Sequence, residues 1–511
     1  MKKSVSKNKI LATTSAVTVL SVAERGLGFL YRIVLSRLIG AEGIGLYQVA
    51  LSLFSLFLTI GTGGIPITVS RMISKSKAEH SASGEKQAVS AGLLLSLLLT
   101  LPFCIFLLFF GDKLTFLFSD PRSFSVFRIL LLGLCFSSIY AVIRGSFWGN
   151  KRFLLPSFIE IAEESVMVIV GIFLLQKVST PLDGAQKAAW AVVISYLFSF
   201  AVSTLCFFFQ GGALSSPKAQ LKPLFNATMP ITSVRASSAL VNSAVAVLLP
   251  VMLIRIGYDS GEALTLFGVV SGMVLPILFI PSTIIGSLAL VLVPELSEDY
   301  YSGNFARLKK NVQRGLSVSL LIACALIPFF FVLGEQMGAL AYSNLQAGTM
   351  ISKSSPLLLP ISLTMISTSM LNSMGREKQT FLFYFIGAAA LLLCVWFLPA
   401  VCGIYAYLIG MGASFLLTGG CNLIYLWHTC LKTKKSPHHV RNYRILIPII
   451  AILPISLLGN LCKALFAGIT GEILCLFLTG LVMTIVTLIL YFVLGLLPNP
   501  FAKNKKKTLL S

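Results

Sequence analysis

The chain has 511 residues, of which 56% are hydrophobic and only 11% are charged, and its formal net charge is +22. A mean hydropathy of +0.90 lies outside the range of ordinary soluble domains and predicts an integral membrane protein. Because the basic residues occur in short clusters between apolar stretches, they are typical of membrane topology rather than of nucleic-acid binding. The composition also leaves no room for a soluble catalytic domain.

Apolar stretches of about 20 residues recur along the chain, and each is long enough for a helix that crosses a bilayer. The lysine-rich N-terminus resembles a signal peptide, but the first stretch continues through Arg25 and Arg32 without a small-residue cleavage site, so we interpret it as a span. We predict an all-α integral membrane protein with fourteen spans. They lie near residues 10–38, 45–72, 88–110, 124–147, 153–176, 186–210, 223–254, 264–294, 312–334, 354–374, 379–399, 403–428, 445–467 and 472–497.

The connections on the side of the N-terminus hold most of the lysines and arginines. By the positive-inside rule, this asymmetry predicts a multi-pass membrane protein with both termini in the cytoplasm. Weak internal repeats pair LSRLIG at 35–40 with LIRIG at 253–257, and GSFWGNKRF at 145–153 with LNSMGREKQ at 371–379. Parallel repeats of this kind are typical of transporters. We therefore predict a monomer with two six-helix lobes related by a pseudo-twofold axis, followed by spans 13 and 14 with a basic cytoplasmic tail, and we place these parts at residues 1–215, 216–431 and 432–511.

Two arginines, Arg25 and Arg235, fall near the middle of predicted spans, where a charge costs at least ~2.5–3.5 kcal/mol on insertion scales. Arg32 lies two helical turns from Arg25 on the same face, and Arg71 ends span 2 on the cytoplasmic side. A guanidinium offers a planar fork of donors that suits phosphate or carboxylate, so we predict that these four residues bind an anion. For Arg25 and Arg235 the alternative is that each pairs with a nearby acid such as Glu24 and only fixes helix packing. Arg71 could also be a gate residue or an ordinary positive-inside anchor. Three further arginines lie near span ends and are predicted to be interfacial: Arg37, Arg128 and Arg144.

Span 5 carries three acids, Glu160, Glu163 and Glu164, at positions i, i+3 and i+4 on one helical face. They could pair with the arginines, bind a coupling proton or sodium ion, or line the cytoplasmic mouth of a cavity. Together with Glu24 they are the candidate coupling or charge-partner residues.

Glycine and proline interrupt two spans, and such breaks persist in membranes where the freed backbone groups face protein or a wet cavity. Simple kinking is the alternative. The predicted hinge or break positions are Gly64, Pro66, Pro276 and Pro281.

The ten cysteines lie in or beside apolar segments without a CxxC pair, and the four histidines show no metal-ligand pattern. We predict no metal site, no cofactor and no enzymatic activity.

The segment AERGLGFLYRIVLSRLIGAEGIGLYQ at 23–48, with GIPITVSRMISK at 64–75 and LVPELSE at 292–298, resembles the stage V sporulation protein B family of the multidrug, oligosaccharidyl-lipid and polysaccharide (MOP) exporter superfamily. The resemblance implies a fourteen-helix, two-lobe transporter with alternating access. Its substrate would be an undecaprenyl-pyrophosphate-linked glycan, such as lipid II or a related cell-wall or spore-cortex precursor, moved to the outer leaflet. Its partners would be this lipid-linked oligosaccharide and membrane lipids, and it would lie in the bacterial plasma membrane. The anion bound by the predicted arginines would then be the pyrophosphate of the substrate, and these residues are Arg25, Arg32, Arg235 and Arg71.

The sequence departs from the pattern of the MurJ-type lipid II flippases in that superfamily. Their first-span motif R-x-x-G-x-x-R matches Arg25 and Gly28, but the second arginine falls on Tyr31. An arginine expected in span 8 falls on Ser271, and Arg235 could substitute for that charge.

Other function classes remain as alternatives. A cation-coupled multidrug exporter would favour an acidic, aromatic cavity, and the acids of span 5 keep that interpretation open. A membrane-embedded glycan enzyme needs carboxylates near a membrane surface and larger loops, and a scaffold protein would not need arginines at mid-depth.

Overall fold

The computed structural model describes residues 2–111, 115, 118–431, 443–469 and 471–496, and every regular element in these ranges is a helix. The prediction of an all-α fold is therefore confirmed. Most of the loop before span 13 and the basic C-terminal tail lie outside the described residues.

The first eight helices are α1 (Lys2–Thr62), α2 (Ile65–Ala78), α3 (Ala82–Phe110), α4 (Pro121–Gly149), α5 (Leu154–Leu174), α6 (Pro181–Phe209), α7 (Lys218–Arg255) and α8 (Ser260–Gly268). The others are α9 (Leu275–Leu278), α10 (Ile280–Tyr301), α11 (Phe305–Tyr342), α12 (Leu345–Ser354), α13 (Leu358–Ser373), α14 (Glu377–Phe397), α15 (Pro399–Cys402), α16 (Tyr405–Leu426), α17 (Tyr443–Ala467) and α18 (Glu472–Val493).

Thirteen helical segments of the described residues are long and apolar enough to cross a membrane, whereas fourteen spans were predicted. The difference has three physical sources. The first segment, Ser15–Ala78, has 64 residues and covers most of the first predicted span and all of the second. Predicted span 8 divides into Ser260–Leu278 and Ile280–Tyr301, and α5 is not among the thirteen because its glutamates add too much charge. Each predicted stretch nevertheless coincides with helix.

The connection expected between spans 1 and 2 is not a loop. Helix continues on both sides of Gly40, which alone takes a non-helical conformation with φ 71° and ψ 178°. A glycine adopts positive φ without the steric cost that a Cβ brings, so one residue makes the change of direction. The predicted spans left residues 39–44 between them, and the structure places all of these except Gly40 in helical conformation.

Predicted span 8 is interrupted at two points. A π-helical turn occupies Val269–Val274, and the chain leaves helix again at Phe279. Pro276 lies in the first turn of α9 and Pro281 in the first turn of α10. A proline is tolerated in a first turn because its missing N–H would have no helical partner there.

The chain forms two compact units, which are described separately. Unit 1 comprises Met1–Gly272 with Pro399–Ile404, and unit 2 comprises Met273–Leu398 with Tyr405–Ser511. Helix α7 packs against α1 and α3, and α8 packs against α1, which is why both helices belong to unit 1. The division therefore differs from the lobes predicted at 1–215 and 216–431, which remain a prediction about symmetry.

Each unit has its own apolar core. In unit 1, side chains of α2, α3 and α4 meet around Val69, Ala88 and Val142, all of which are buried. In unit 2, α10, α11 and α13 meet around Leu296 and Val312.

One end of unit 1 is tied together by a polar cluster. The Arg122 guanidinium lies 2.8 Å from an Asp120 oxygen and 2.7 Å from Glu42 of α1, and the Ser260 hydroxyl donates to Asp120 at 2.7 Å. Burial alone would raise the pKa of Asp120, but hydrogen bonds from the Arg122 side chain, from Ser260 and from the Arg122 amide outweigh it and hold that pKa below its ordinary value. The cluster joins the second half of α1 to the first turns of α4 and α8.

Candidate functional site

The break between α1 and α2 leaves backbone groups that form hydrogen bonds with side chains of α7. Helix α1 ends at Thr62 and α2 begins at Ile65. The Gly63 amide still donates to the Thr59 carbonyl and the Gly64 carbonyl still accepts from the Thr68 amide, so the break frees the Gly63 carbonyl and the Gly64 amide. The Gly64 amide donates to the Thr232 hydroxyl at 3.1 Å, and the Gly63 carbonyl accepts from Arg235 Nη1 at 2.9 Å. Side chains of α7 thus satisfy both freed groups.

Glycine is required at this break because α7 approaches it closely. A Cβ at Gly64 would lie 2.7 Å from the Thr228 carbonyl oxygen, closer than real Cβ contacts. Pro66 follows in the first turn of α2, where its missing N–H costs no helical hydrogen bond.

A cavity of about 330 Å³ lies beside the break, within unit 1. It contains two guanidinium groups, and of the lining residues that the structure describes none is acidic. Its walls come from the end of α1, from α4 and from α7. The lining residues are Leu58, Thr59, Thr62, Gly63, Arg144, Val234, Arg235 and Ser238.

Arg144 is held in place by a carboxylate and by two aromatic rings. Its Nη1 donates to Glu160 Oε1 of α5 at 2.8 Å. Its guanidinium carbon lies 5.0 Å from the Trp148 ring centroid and 5.6 Å from that of Tyr140, within the range of cation–π contacts. Its Nε is buried, and no hydrogen-bond partner for it lies in the described ranges.

Arg144 was predicted to be interfacial and was not among the predicted binding residues, but it lies in the wall of the cavity. A signal for this was available: Tyr140 and Trp148 flank Arg144 at i−4 and i+4, so the three side chains share one helical face.

The three acids of α5 face the neighbouring helices of unit 1 and meet different partners. Glu160 pairs with Arg144, and Glu163 lies near Ser199 on α6, whose hydroxyl donates to the Tyr196 carbonyl. The Glu164 carboxylate packs onto α1, where a Cβ at Gly28 would lie 2.6 Å from its Oε1.

Glu24 and Arg32 of α1 are both electrostatic neighbours of Glu164. Carboxylates of α1 and α5 therefore share one polar region with Arg32. Pairing with an arginine was one of the roles predicted for the acids of span 5, and the structure shows such a pair between Glu160 and Arg144.

The other predicted arginines are not part of the cavity wall. Arg25 and Arg71 are exposed, and neither makes a hydrogen bond or an ion pair within 4.0 Å to another described residue. The alternative pairing of Arg25 with Glu24 is therefore not formed at that distance. The structure brings Arg235 together with Arg144, and it does not bring Arg25, Arg32 or Arg71 to the same cavity.

No group of three or more histidine, cysteine, aspartate or glutamate side chains is arranged to hold a metal ion in the described part of the chain.

Sequence comparison confirms the resemblance noted from the motifs. A protein-family model described as "Polysaccharide biosynthesis protein" matches residues 10–299. Stage V sporulation protein B of Bacillus subtilis (strain 168) is 24% identical, over 85% of this chain and 86% of that protein. Lipid II flippase MurJ of the same organism is 23% identical, over 62% of each chain.

Structure comparison shows the same fold in solved transporters. A structure of lipid II flippase MurJ in an inward closed conformation superposes with a TM-score of 0.67 at 17% identity, covering 94% of this chain and 99% of that one. An inward-facing multidrug resistance MATE family transporter of the MOP superfamily gives a TM-score of 0.63 at 14% identity, covering 80% of this chain and 97% of that one. None of these relatives is named as an enzyme. Because the family model matches more than half of the chain, the protein belongs to the polysaccharide biosynthesis protein family, with the fold of the MOP-superfamily transporters.

Proposed function

We propose that the protein is a flippase for an undecaprenyl-pyrophosphate-linked glycan, which it moves from the inner to the outer leaflet of the plasma membrane by alternating access. The observation that carries this proposal is the cavity of unit 1, whose wall has two guanidinium groups and no described acid. Inside a membrane, such a cavity favours an anion over a cation.

The free donors in this cavity suit a pyrophosphate. A guanidinium has five N–H donors, and Arg235 donates one of them to the Gly63 carbonyl. Arg144 donates from Nη1 to Glu160, and its Nε is buried, so only its other Nη hydrogens are available to a ligand. The remaining donors can bind phosphate oxygens in the forked geometry that arginine provides.

The size of the cavity limits what it holds. About 330 Å³ is at the lower end of small-molecule pockets. In this proposal it takes the pyrophosphate group, while the prenyl chain and the sugars lie outside it. Arg25, Arg32 and Arg71 then serve as further phosphate contacts along the route of the substrate.

The relatives support the class of glycan. One is named a lipid II flippase and another a stage V sporulation protein. We therefore propose lipid II or a related cell-wall or spore-cortex precursor as the substrate, with both termini of the chain in the cytoplasm.

A cation-coupled multidrug exporter is the second candidate. It is favoured by the half-buried carboxylates Glu163 and Glu164 of α5 and by the fold shared with a MATE family transporter. The two candidates differ in the charge of the substrate.

The test is transport by the purified protein in proteoliposomes. Flipping of a fluorescent undecaprenyl-pyrophosphate-linked sugar is followed by its accessibility to a membrane-impermeant quencher, beside export of a cationic dye under a sodium or proton gradient. We expect the pyrophosphate lipid to be flipped and the dye to be retained. Dye export without lipid flipping would contradict the proposal and favour the second candidate.

A further inference from the structure

A second cavity, with a mostly apolar wall, lies in unit 2, where α12 ends and α16 begins. Its volume is about 370 Å³. The chain between α12 and α13 tightens into a single 3₁₀ turn, Ser355–Leu357, and this turn forms part of the wall. The lining residues are Lys353, Ser354, Leu357, Tyr405, Leu408 and Ile409.

Lys353 gives this cavity a positive charge. It is the one charged residue among the described lining residues, and it lies in the last turn of α12, where the helix dipole favours a cation. Its Nζ is 5.3 Å from the ring centroid of Tyr405. The ring holds the ammonium at the cavity, so the long side chain is not simply extended into solvent.

Ser354 provides an independent indication of a ligand. The residue is only 3% exposed, yet its hydroxyl has no hydrogen-bond partner in the described part of the chain. A buried hydroxyl without a partner costs about 1–3 kcal/mol, so an unsatisfied group in a cavity wall calls for an explanation. An acceptor oxygen of a bound ligand would satisfy it.

The cavity opens on a face of α16 that suits lipid. Ile409 is 48% exposed, and Leu416 and Ile424 continue the same exposed apolar stripe along the helix at spacings of seven and eight residues. A continuous stripe of this kind fits acyl chains rather than an aqueous path.

The depth of the cavity matches lipid head groups. Lys353 lies eight residues after the start of α12, or ~12 Å along the helix. The segment Leu345–Ser373 has 29 residues and so is ~43 Å long, about 13 Å more than a hydrocarbon core. If the segment is centred, Lys353 lies roughly 6 Å inside the edge of that core, within reach of phosphate.

From these observations we propose that the cavity binds the phosphate of an anionic phospholipid. The Lys353 ammonium and the Ser354 hydroxyl would contact phosphate oxygens, and Ile409 with its stripe would contact the first acyl carbons. In the predicted orientation the lipid belongs to the outer leaflet. The site is in unit 2 and does not depend on the proposed transport substrate.

The experiment measures lipid binding by the full chain after delipidation in a neutral detergent. Phosphatidylglycerol, phosphatidylcholine and inorganic phosphate are added separately, and the melting temperature and bound lipid (by native mass spectrometry) are recorded. We expect phosphatidylglycerol to bind and to raise the melting temperature more than phosphatidylcholine does, and inorganic phosphate to have no effect.

Variants assign the effect to the cavity. Lys353→Met should weaken phosphatidylglycerol binding about fivefold, because one basic residue near anionic lipid contributes about 1 kcal/mol. Lys353→Arg should retain it, and Ser354→Ala should weaken it without changing charge. Lys378→Met is the matched control, an exposed lysine at the start of α14 in the same unit.

Three results would overturn the proposal. They are equal binding by wild type and Lys353→Met, an equal loss in Lys378→Met, and stabilisation by inorganic phosphate as strong as that by phosphatidylglycerol. If Lys353→Met does not fold, Lys353→Arg and Ser354→Ala decide, since the proposal requires the first to bind and the second to bind less.

Discussion

A double-mutant cycle on Arg144 and Glu160 separates the packing role of Arg144 from its proposed role in binding. The two side chains meet at 2.8 Å and are 30% and 20% exposed. Removing one partner of a fully buried pair costs about 3–5 kcal/mol, and partial exposure lowers that cost. Arg144→Gln also loses two cation–π contacts, each worth ~0.5–1 kcal/mol. We therefore expect Arg144→Gln to destabilise unit 1 by ~2–4 kcal/mol.

The other corners of the cycle follow from the same contact. Glu160→Gln should cost less, ~1–3 kcal/mol, because Arg144 keeps its aromatic contacts and faces a polar cavity. The double variant leaves no unpaired charge, so the two changes should be less than additive, with a coupling energy of ~1–2 kcal/mol. Equilibrium unfolding in mixed micelles with increasing sodium dodecyl sulfate gives the four free energies.

Ligand binding by the same four proteins provides the second measurement. A short-chain prenyl pyrophosphate is titrated calorimetrically in detergent, with the matching prenyl alcohol as the uncharged control. A charge-assisted hydrogen bond is worth about 1.5–3 kcal/mol, so proteins without Arg144 should bind the pyrophosphate roughly 10–100-fold more weakly. The double variant should regain stability without regaining affinity. If it binds as tightly as wild type, Arg144 only joins α4 to α5 and our assignment of the cavity is wrong.

Three further predictions concern other parts of the chain. Because the pKa of Asp120 is lowered in the folded protein, its hydrogen bonds stabilise the fold fully above the ordinary aspartate pKa of about 3.9. This stabilisation is lost as pH falls through the lower folded pKa. The melting temperature should therefore fall in acid, and Asp120→Asn should lack that part of the fall. Arg25→Ala should abolish flipping in a protein that still inserts, and Arg25→Lys should restore only part of it, because an ammonium cannot reproduce the fork; normal flipping by the alanine variant would make Arg25 structural. An inside-negative membrane potential contributes ~2.3 kcal/mol per charge per 100 mV and should drive flipping without ion gradients. The contrary result is flipping that depends on a sodium or proton gradient. If Glu164→Gln removes that dependence, the coupling site lies in α5.

The helices and the family were predictable from local pattern. The long apolar stretches of the sequence predicted where helices lie. This includes α5, because its acids occupy one face and leave the rest of the helix apolar. Motifs of the first span sufficed for the family resemblance, since they lie in a contiguous segment.

Predictions failed where a single backbone conformation or a distant contact decided the outcome. One glycine, Gly40, made a turn that the sequence suggested would take several residues. The partner of Arg235 is the Gly63 carbonyl, which lies 172 positions away and is free only because the helix breaks there. The place of Arg144 in the cavity wall depends on its contact with Glu160 of α5, which the sequence of α4 alone does not reveal. Lys353 falls just before predicted span 10, in a connection between spans. Nothing in the neighbouring sequence shows that Tyr405 lies against it.

The proposed binding of pyrophosphate in the cavity of unit 1 is tested most directly by two variants of helix α7 in one assay. One variant removes an arginine and the other removes a lysine. Arg235→Ala removes a guanidinium from the cavity, whereas Lys222→Ala removes an exposed charge from the first turns of the same helix α7. The initial rate at which each variant flips an undecaprenyl-pyrophosphate-linked sugar is measured in proteoliposomes at matched protein density. The account predicts a loss of at least about tenfold for Arg235→Ala, equivalent to one charge-assisted contact, and no change for Lys222→Ala. Equal rates for Arg235→Ala and wild type would contradict it.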